Sequence, residues 1–462
     1  GGWVLNAYMI TYTVATPTVG WLGGWFGNKK LFLTSMVVFM FSMVLSGIAW
    51  NIESLIFFRS LSGLMAGVAT PIGMVILYEA FPPDQQGLAM GISIFSLFSA
   101  SIIAFPLGGY LVEEASWRYI FYVSVPMSLA GVMVGKMILR ESGKKEKRPL
   151  DIPGLSSISL FVACLLLALS QGRREGWDSH YIITLFILSA IGGVAFVLAE
   201  LKNEKPMVDL RLFKNFNFSI LNVVGFINEM DLFGTFFLTQ IYLQTFRGFT
   251  PLQAGLLMLP AVLVTSVSSL LFGRLGDYID PKYLITFGMA FRAFAIWRFA
   301  SLDIYTSMSV ILSIVVLRSL SNGWLMPNFA KGIMRSLPDE KRRDGSGLMT
   351  LIRGIGSVTG IAALTAVLTQ RTDYHTMILA ERTNLSVFGI RHTLSYLSSM
   401  FQQGGDLRGL ADLKGLSLIF GKLIEEAMML AYQDTFLFMA SLLVIAVLPS
   451  IMLRRTPRFP GT

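Results

Sequence analysis

The sequence predicts an all-α polytopic membrane protein, and three observations carry that prediction. Hydrophobic residues make up 54% and charged residues 14% of the 462 positions, against about 25% charged in soluble domains; the mean hydropathy is +0.63. About thirteen apolar runs are long enough to cross some 30 Å of hydrocarbon, which takes roughly 20 helical residues. Lysine and arginine gather in alternate connections between those runs. In lipid, backbone N–H and C=O groups must be satisfied within their own segment, which selects helices over open sheets.

The first crossing, near 3–24, closes on a glycine-rich stretch containing Gly20, Leu22, Gly23, Gly24 and Gly27, followed by Lys29 and Lys30. Crossings near 31–50, 54–78, 87–112 and 118–139 follow. Arg59 lies inside one of them, and Pro106, Gly108 and Gly109 inside another, where a bend is expected because proline removes a helix hydrogen bond. Plain helix packing by those glycines is the alternative. A basic segment then leads to a pair near 153–170 and 181–200. The 217–245 run carries Asn228, Glu229 and Asp231 near its middle. Runs near 252–273 and 283–300 flank Gly273, Leu275, Gly276, Asp277 and Lys282, which repeat the G-x-L-G of the first hairpin. Repeated hairpins are how many carriers are built. Runs near 305–328, 346–369 and 434–453 complete the set. This divides the chain into an N-terminal half (1–140), a basic loop with an inserted pair (141–205) and a C-terminal half (206–462).

One connection is long. Between 370 and 433, apolar residues at Leu410, Leu413, Leu416, Ile419, Leu423, Ile424 and Met428 recur near helical spacing, which predicts one or two amphipathic helices. Such a segment is either a cap on the bundle mouth or a docking surface for a partner.

Orientation follows from the basic connections. Lys29, Lys30, Lys144, Lys145, Lys147, Lys202, Lys282, Arg342, Arg343, Arg454 and Arg455 fall on one side, while the other short loops hold Arg118, Arg173, Arg174 and Arg247. The first set and the C-terminus are expected to be cytoplasmic. The net charge of +9 then reads as topology and contact with anionic lipid, not as nucleic-acid binding. The first residue falls outside and the count is odd, so one helix is expected to precede Gly1. Cys164 stands alone, and His180, His375 and His392 have no ligand spacing, so no metal or other cofactor is expected. No nucleophile motif or phosphate-binding glycine loop points to an enzyme or to ATP drive.

Ionisable groups inside apolar spans point to function, because each costs at least about 2.5 kcal/mol at the bilayer centre. Glu229 and Asp231 are two apart, about 200° around a helix, so they face different ways. One is expected to bind and release a proton; the alternative is an ion pair with an arginine on another helix. Arg59, Arg292, Arg298, Arg318 and Arg353 supply such arginines. Asn6, Tyr12, Phe233, Gln240 and Asn322 are candidates for a substrate cavity, which favours aromatic walls with few polar groups.

Several stretches carry a family resemblance: Trp3 to Met9 with Pro17, Gly20 and Leu22; Phe57-Phe58-Arg59 with Gly63 and Gly67; Trp117-Arg118 with Val125-Pro126; Gln253-Ala254-Gly255 with Pro260; and Arg353 to Gly356. Together they resemble the fourteen-span drug:proton antiporters of the major facilitator superfamily, and within it the EmrB-type multidrug exporters. The resemblance implies two six-helix halves plus two inserted helices, with a first helix and its intramembrane acid preceding this chain. It implies export of hydrophobic or amphipathic compounds across the inner membrane in exchange for protons, with Arg59 near the coupling machinery and Arg353 in a matching position. It gives the hairpins a gating role in which Asp277 binds a neighbouring helix end, while Gly24 stands where the first copy should have its acid. The G-P-x-x-G-G signature is degenerate here, with Ala104 and a displaced Pro106. By analogy, a periplasmic adaptor and an outer-membrane channel are implied as partners. The alternatives are a non-transporting receptor or anchor that reuses the fold, or a permease for one metabolite.

Overall fold

Polar caps and glycines punctuate a chain whose apolar stretches would otherwise run on as helix. The structure, a computed structural model, describes residues 2–140, 151–203, 206, 208–382, 388–404 and 406–455, and among them it contains no strand. The first predicted crossing is broken near Pro17 into α1 (Gly2–Ala15), a 3-10 turn (Thr16–Thr18) and α2 (Val19–Phe26). Gly27, at φ 84°, then turns the chain into α3 (Asn28–Gly47), a conformation that glycine adopts without steric cost. The half is completed by α4 (Ile52–Ala80), α5 (Gln86–Glu114) and α6 (Tyr119–Ile138). A capping box of Asn51 with Ser54 starts α4, satisfying amides that have no partner within the helix.

The inserted pair is α7 (Ile152–Glu175) and α8 (His180–Lys202). The C-terminal half comprises α9 (Phe216–Arg247), α10 (Pro251–Leu257), α11 (Leu259–Tyr278), α12 (Pro281–Phe299), α13 (Met308–Ser336), α14 (Arg342–Arg382), α15 (Phe388–Gln403) and α16 (Arg408–Ile451). Each of the thirteen predicted crossings thus has a helical counterpart. Among the described residues eleven helices are long and apolar enough to cross a membrane. The other two crossings are the broken α1–α2 unit and α12, which carries Lys282, Arg292 and Arg298.

Within the N-terminal half α4 packs on α1 and α3, and α3 on α6. In the C-terminal half α9 packs on α14, α11 on α13, and α12 on α13 and α16, while α7 pairs with α8 and touches α1 and α14. The halves meet where α5 crosses α11 and where α2 and the turn before it meet α14. The α2–α14 contact and the start of the α5–α11 crossing lie at the end of the bundle that carries the basic connections, the basic end, and α5 goes on to meet α13 and α10.

The long segment at 370–433 is helical nearly throughout the described residues. It continues α14, forms α15, and enters α16 without a break. At 41 and 44 residues, α14 and α16 are about 60 Å and 66 Å long, so both project well past a bilayer. Arg371 and His375 of α14 both reach Asp434 of α16, at 2.6 and 2.7 Å, and join the two helices where they emerge. Beyond that point Ser398 of α15 donates to Asp412 of α16 at 2.5 Å.

The bend and the packing role expected in α5 rest on Pro106, Gly108 and Gly109. The side chains of Pro106 and Gly109 lie outside the described residues, and the helix is assigned continuously through them. At Gly108 an added Cβ would meet no atom within 4 Å, so helix packing does not explain this glycine.

Candidate functional site

Glycine decides which charges meet inside the membrane. On α14 a Cβ at Gly360 would fall 2.2 Å from the carbonyl oxygen of Met230, and one at Gly356 would fall 2.8 Å from that of Phe226. Only hydrogen there lets α14 lie directly on α9. Arg353, one turn before Gly356, is thereby set beside Glu229, with Nε 3.6 Å from Oε1. Glu229 is buried, yet this contact is longer than a hydrogen bond.

Asp231 turns to the other side, as its spacing requires, and is held tightly. Arg292 of α12 places Nε and Nη2 each 2.5 Å from Asp231 Oδ2, and both side chains are 0% exposed. Thr235 donates to Oδ1 at 2.7 Å. Arg292 also donates through Nη1 to Asn322 Oδ1 at 3.3 Å. Arg318 of α13 donates through Nη2 to the main-chain carbonyls of Leu232 at 2.7 Å and Asp231 at 3.4 Å. The sequence offered Arg292 and Arg318 among five arginines that could pair with either acid, without saying which meets which. Pairing across helices is not written in a one-dimensional pattern.

Arg59 lies on a separate branch. Its guanidinium stands 4.4 Å above the ring of Tyr8 and 5.7 Å from that of Phe121, a cation–π arrangement. Tyr8 stacks on Tyr12 at 6.1 Å. Tyr12 stands near Thr70 and lies within electrostatic reach of Glu229 and Arg353. An aromatic pair therefore stands between Arg59 and Glu229.

Beside the charges is a cavity of about 190 Å³ between α5, α9, α11 and α13, lined by Phe98, Phe233, Phe236, Met258, Val262, Arg318 and Asn322 among others. Counted along α5, α11 and α13 from the basic end, it lies roughly 20 Å deep, near the bilayer midplane. Of the residues expected to face a cavity, Phe233 and Asn322 do so. Asn6 instead donates to Ser170 of α7 at 3.1 Å, Tyr12 faces Thr70, and Gln240 lies two turns beyond Phe233, outside the lining.

At the basic end the two hairpin helices make equivalent crossings. On α11, Ser269, Gly273 and Asp277 follow at intervals of four; on α2 and the turn before it, Thr16, Gly20 and Gly24 do the same. A Cβ on Gly91 of α5 would fall 2.5 Å from the Ser269 carbonyl oxygen, and one on Gly347 of α14 would fall 2.6 Å from that of Thr16. Asp277 accepts from the amides of Gly87 at 2.6 Å and Leu88 at 3.0 Å, the first turn of α5. Lys331 of α13 donates to its Oδ1 at 2.6 Å. This is an anion on a helix N-terminus, reached from the opposite half.

The first copy has Gly24 in place of that acid, but an acid is still present. Asp344, in the first turn of α14, lies over Gly20, where a Cβ would fall 1.7 Å from its Oδ1, and Arg343 covers Gly23. Lys29 donates to the carbonyl of Lys136 near the end of α6 at 3.1 Å. Lys331 and Asp344 were not singled out from the sequence. A lysine within an apolar run was the available signal for the first, while Asp344 looks like an ordinary first-turn acid.

A family model described as Major Facilitator Superfamily matches residues 1–361. The Uncharacterized MFS-type transporter YhcA of Bacillus subtilis (strain 168) is 30% identical over 382 residues, 83% of this chain and 72% of that protein. The Multidrug export protein EmrB of Haemophilus influenzae is 30% identical over 440 residues, 90% of this chain and 85% of that protein. The crystal structure of a double-tryptophan XylE mutant superposes with a TM-score of 0.60 at 11% identity, covering 99% of this chain and 86% of that one. That last likeness is one of fold.

Proposed function

Given that the chain belongs to the Major Facilitator Superfamily, we propose that it exports hydrophobic or amphipathic compounds across the inner membrane in exchange for protons. The similarity to multidrug export proteins supports the substrate class. The observation that carries proton coupling is the contrast between the two buried acids of α9. Asp231 is held by Arg292 and Thr235 at hydrogen-bond distance, whereas Glu229 meets Arg353 at 3.6 Å. A carboxylate fixed by a tight pair resists protonation, while one with a loose partner in a low-dielectric site is able to exchange its counter-charge for a proton.

In this reading Glu229 is the proton-binding group and Arg353 its counter-charge. Asp231 with Arg292 is structural, and Arg59 adjoins the pathway through Tyr8 and Tyr12. Asp277 holds the two halves together at the basic end, which faces the cytoplasm with the C-terminus. The helices that project at 370–433 are the surface for a periplasmic adaptor leading to an outer-membrane channel.

The test is efflux of a lipophilic fluorescent dye from proteoliposomes under an imposed pH gradient. Glu229→Gln is expected to lose gradient-driven efflux while keeping dye exchange between the two faces. Gradient-driven efflux by Glu229→Gln equal to the parent's removes Glu229 from the mechanism.

A further inference from the structure

The charges around the cavity do not balance. Within the cluster formed by α9, α12, α13 and α14, two carboxylates, Glu229 and Asp231, face three guanidiniums, Arg292, Arg318 and Arg353. Arg292 takes Asp231 and Arg353 takes Glu229. Arg318 is left with main-chain carbonyls through Nη2, and its buried Nε has no hydrogen-bond partner. Only 8% of Arg318 is exposed, and it lines the 190 Å³ cavity. Asp231 lies within electrostatic reach of Arg318 as well as Arg292, so two cations share one carboxylate, and the surplus positive charge is expensive in hydrocarbon.

The second polar group of the wall points to the same chemistry. Asn322 uses Oδ1 to accept from Arg292, which leaves its Nδ2 as the end available to a ligand. The cavity thus offers donors, a guanidinium and an amide N–H, against the aromatic walls of Phe98, Phe233 and Phe236. Its volume exceeds the roughly 150 Å³ that accommodates benzene in an engineered apolar cavity.

From this we propose that the cavity binds a hydrophobic organic anion, with a single carboxylate on Arg318 and Asn322 and an aryl body between the three phenylalanines. The proposal names a substrate class for the export site above and rests on that reading. It assigns Arg318 as the specificity-determining residue, since the surplus positive charge of the cluster favours an acid over the neutral or cationic compound of the same shape. Burial of both partners makes a guanidinium–carboxylate contact stronger than it would be in water.

The test is equilibrium binding to the purified full chain in lipid nanodiscs without any gradient, using 1-naphthoate, its methyl ester and a naphthylmethyl-trimethylammonium salt. The acid is expected to bind at least ten-fold tighter than either other compound. Arg318→Gln is expected to bring acid and ester to equal affinity, and Arg318→Lys to restore part of the preference. Equal binding of the three compounds by the parent overturns the proposal even where no variant folds, and so does an unchanged preference in a folded Arg318→Gln protein. Because no proton gradient is used, loss of acid preference is read separately from loss of Glu229-dependent efflux.

Discussion

Glu229 and Asp231 show how far two like residues diverge when a helix turns them to different neighbours. Asp231 is sealed between Arg292 and Thr235 with no exposure. Asp231→Asn leaves the Arg292 charge buried without its partner, so a loss of about 3–5 kcal/mol is expected. The measurement is a thermal melt of the purified protein. Replacing both partners, Asp231→Leu with Arg292→Met, should recover most of that loss, because breaking a buried pair is worse than removing it. A double variant that melts no higher than Asp231→Asn would show that the pair itself, and not the orphaned charge, dominates.

At the scale of elements, the fold depends on helices that approach closely at chosen points. The crossing of α9 and α14 leaves no space at Gly360, where the obstacle is the Met230 carbonyl 2.2 Å away. Backbone cannot swing aside as a side chain can, so Gly360→Val should separate the helices, lower the melting temperature by several degrees or more, and reduce the yield of monodisperse protein. Gly108 provides the control in the same fold. Its Cβ direction is open, so Gly108→Ala should leave stability unchanged or raise it by up to about 1 kcal/mol, the helix-propensity difference.

For the whole molecule the question is what holds the halves together at the basic end. Asp277 reaches across to the amides of α5 and is itself bound by Lys331. Asp277→Asn should weaken that closure and leave Lys331 buried without its counter-charge. A cysteine placed at Ser101 in the cavity wall should then react at least ten times faster with a membrane-impermeant maleimide supplied from the basic end. An unchanged rate would mean that glycine packing alone keeps this end closed.

Within the C-terminal half, the connection between α8 and α9 is tied to the turn before α14, where Asp209 accepts from Lys341 Nζ at 2.6 Å. Burial pushes the Asp209 carboxyl up, but the Lys341 hydrogen bond and charge and the Arg211 amide outweigh it and hold the group below its ordinary value. The resulting stabilisation is present above the unfolded value of about 3.9 and is lost as pH falls below it toward the folded one. Asp209→Asn should therefore lower the melting temperature at pH 6 and bring it nearer the parent's below pH 4.

Much of this architecture was readable in one dimension because a bilayer punishes unsatisfied backbone. Apolar length alone located the crossings, and the G-x-L-G echo matched Gly20 with Gly273 before any contact was known. The acids Glu229 and Asp231 stood out because charge is rare in such runs. The sequence by itself determined the helices, their alternation and the few positions where function is possible. Only the tertiary structure decided which arginine faces which acid, that Arg318 shares Asp231 with Arg292, that Asn6 faces α7, and that Asp344 supplies an acid where Gly24 does not. The physical reason is that helix formation is satisfied within one segment, whereas pairing of buried charges depends on crossing points set by glycines on two segments far apart in the chain.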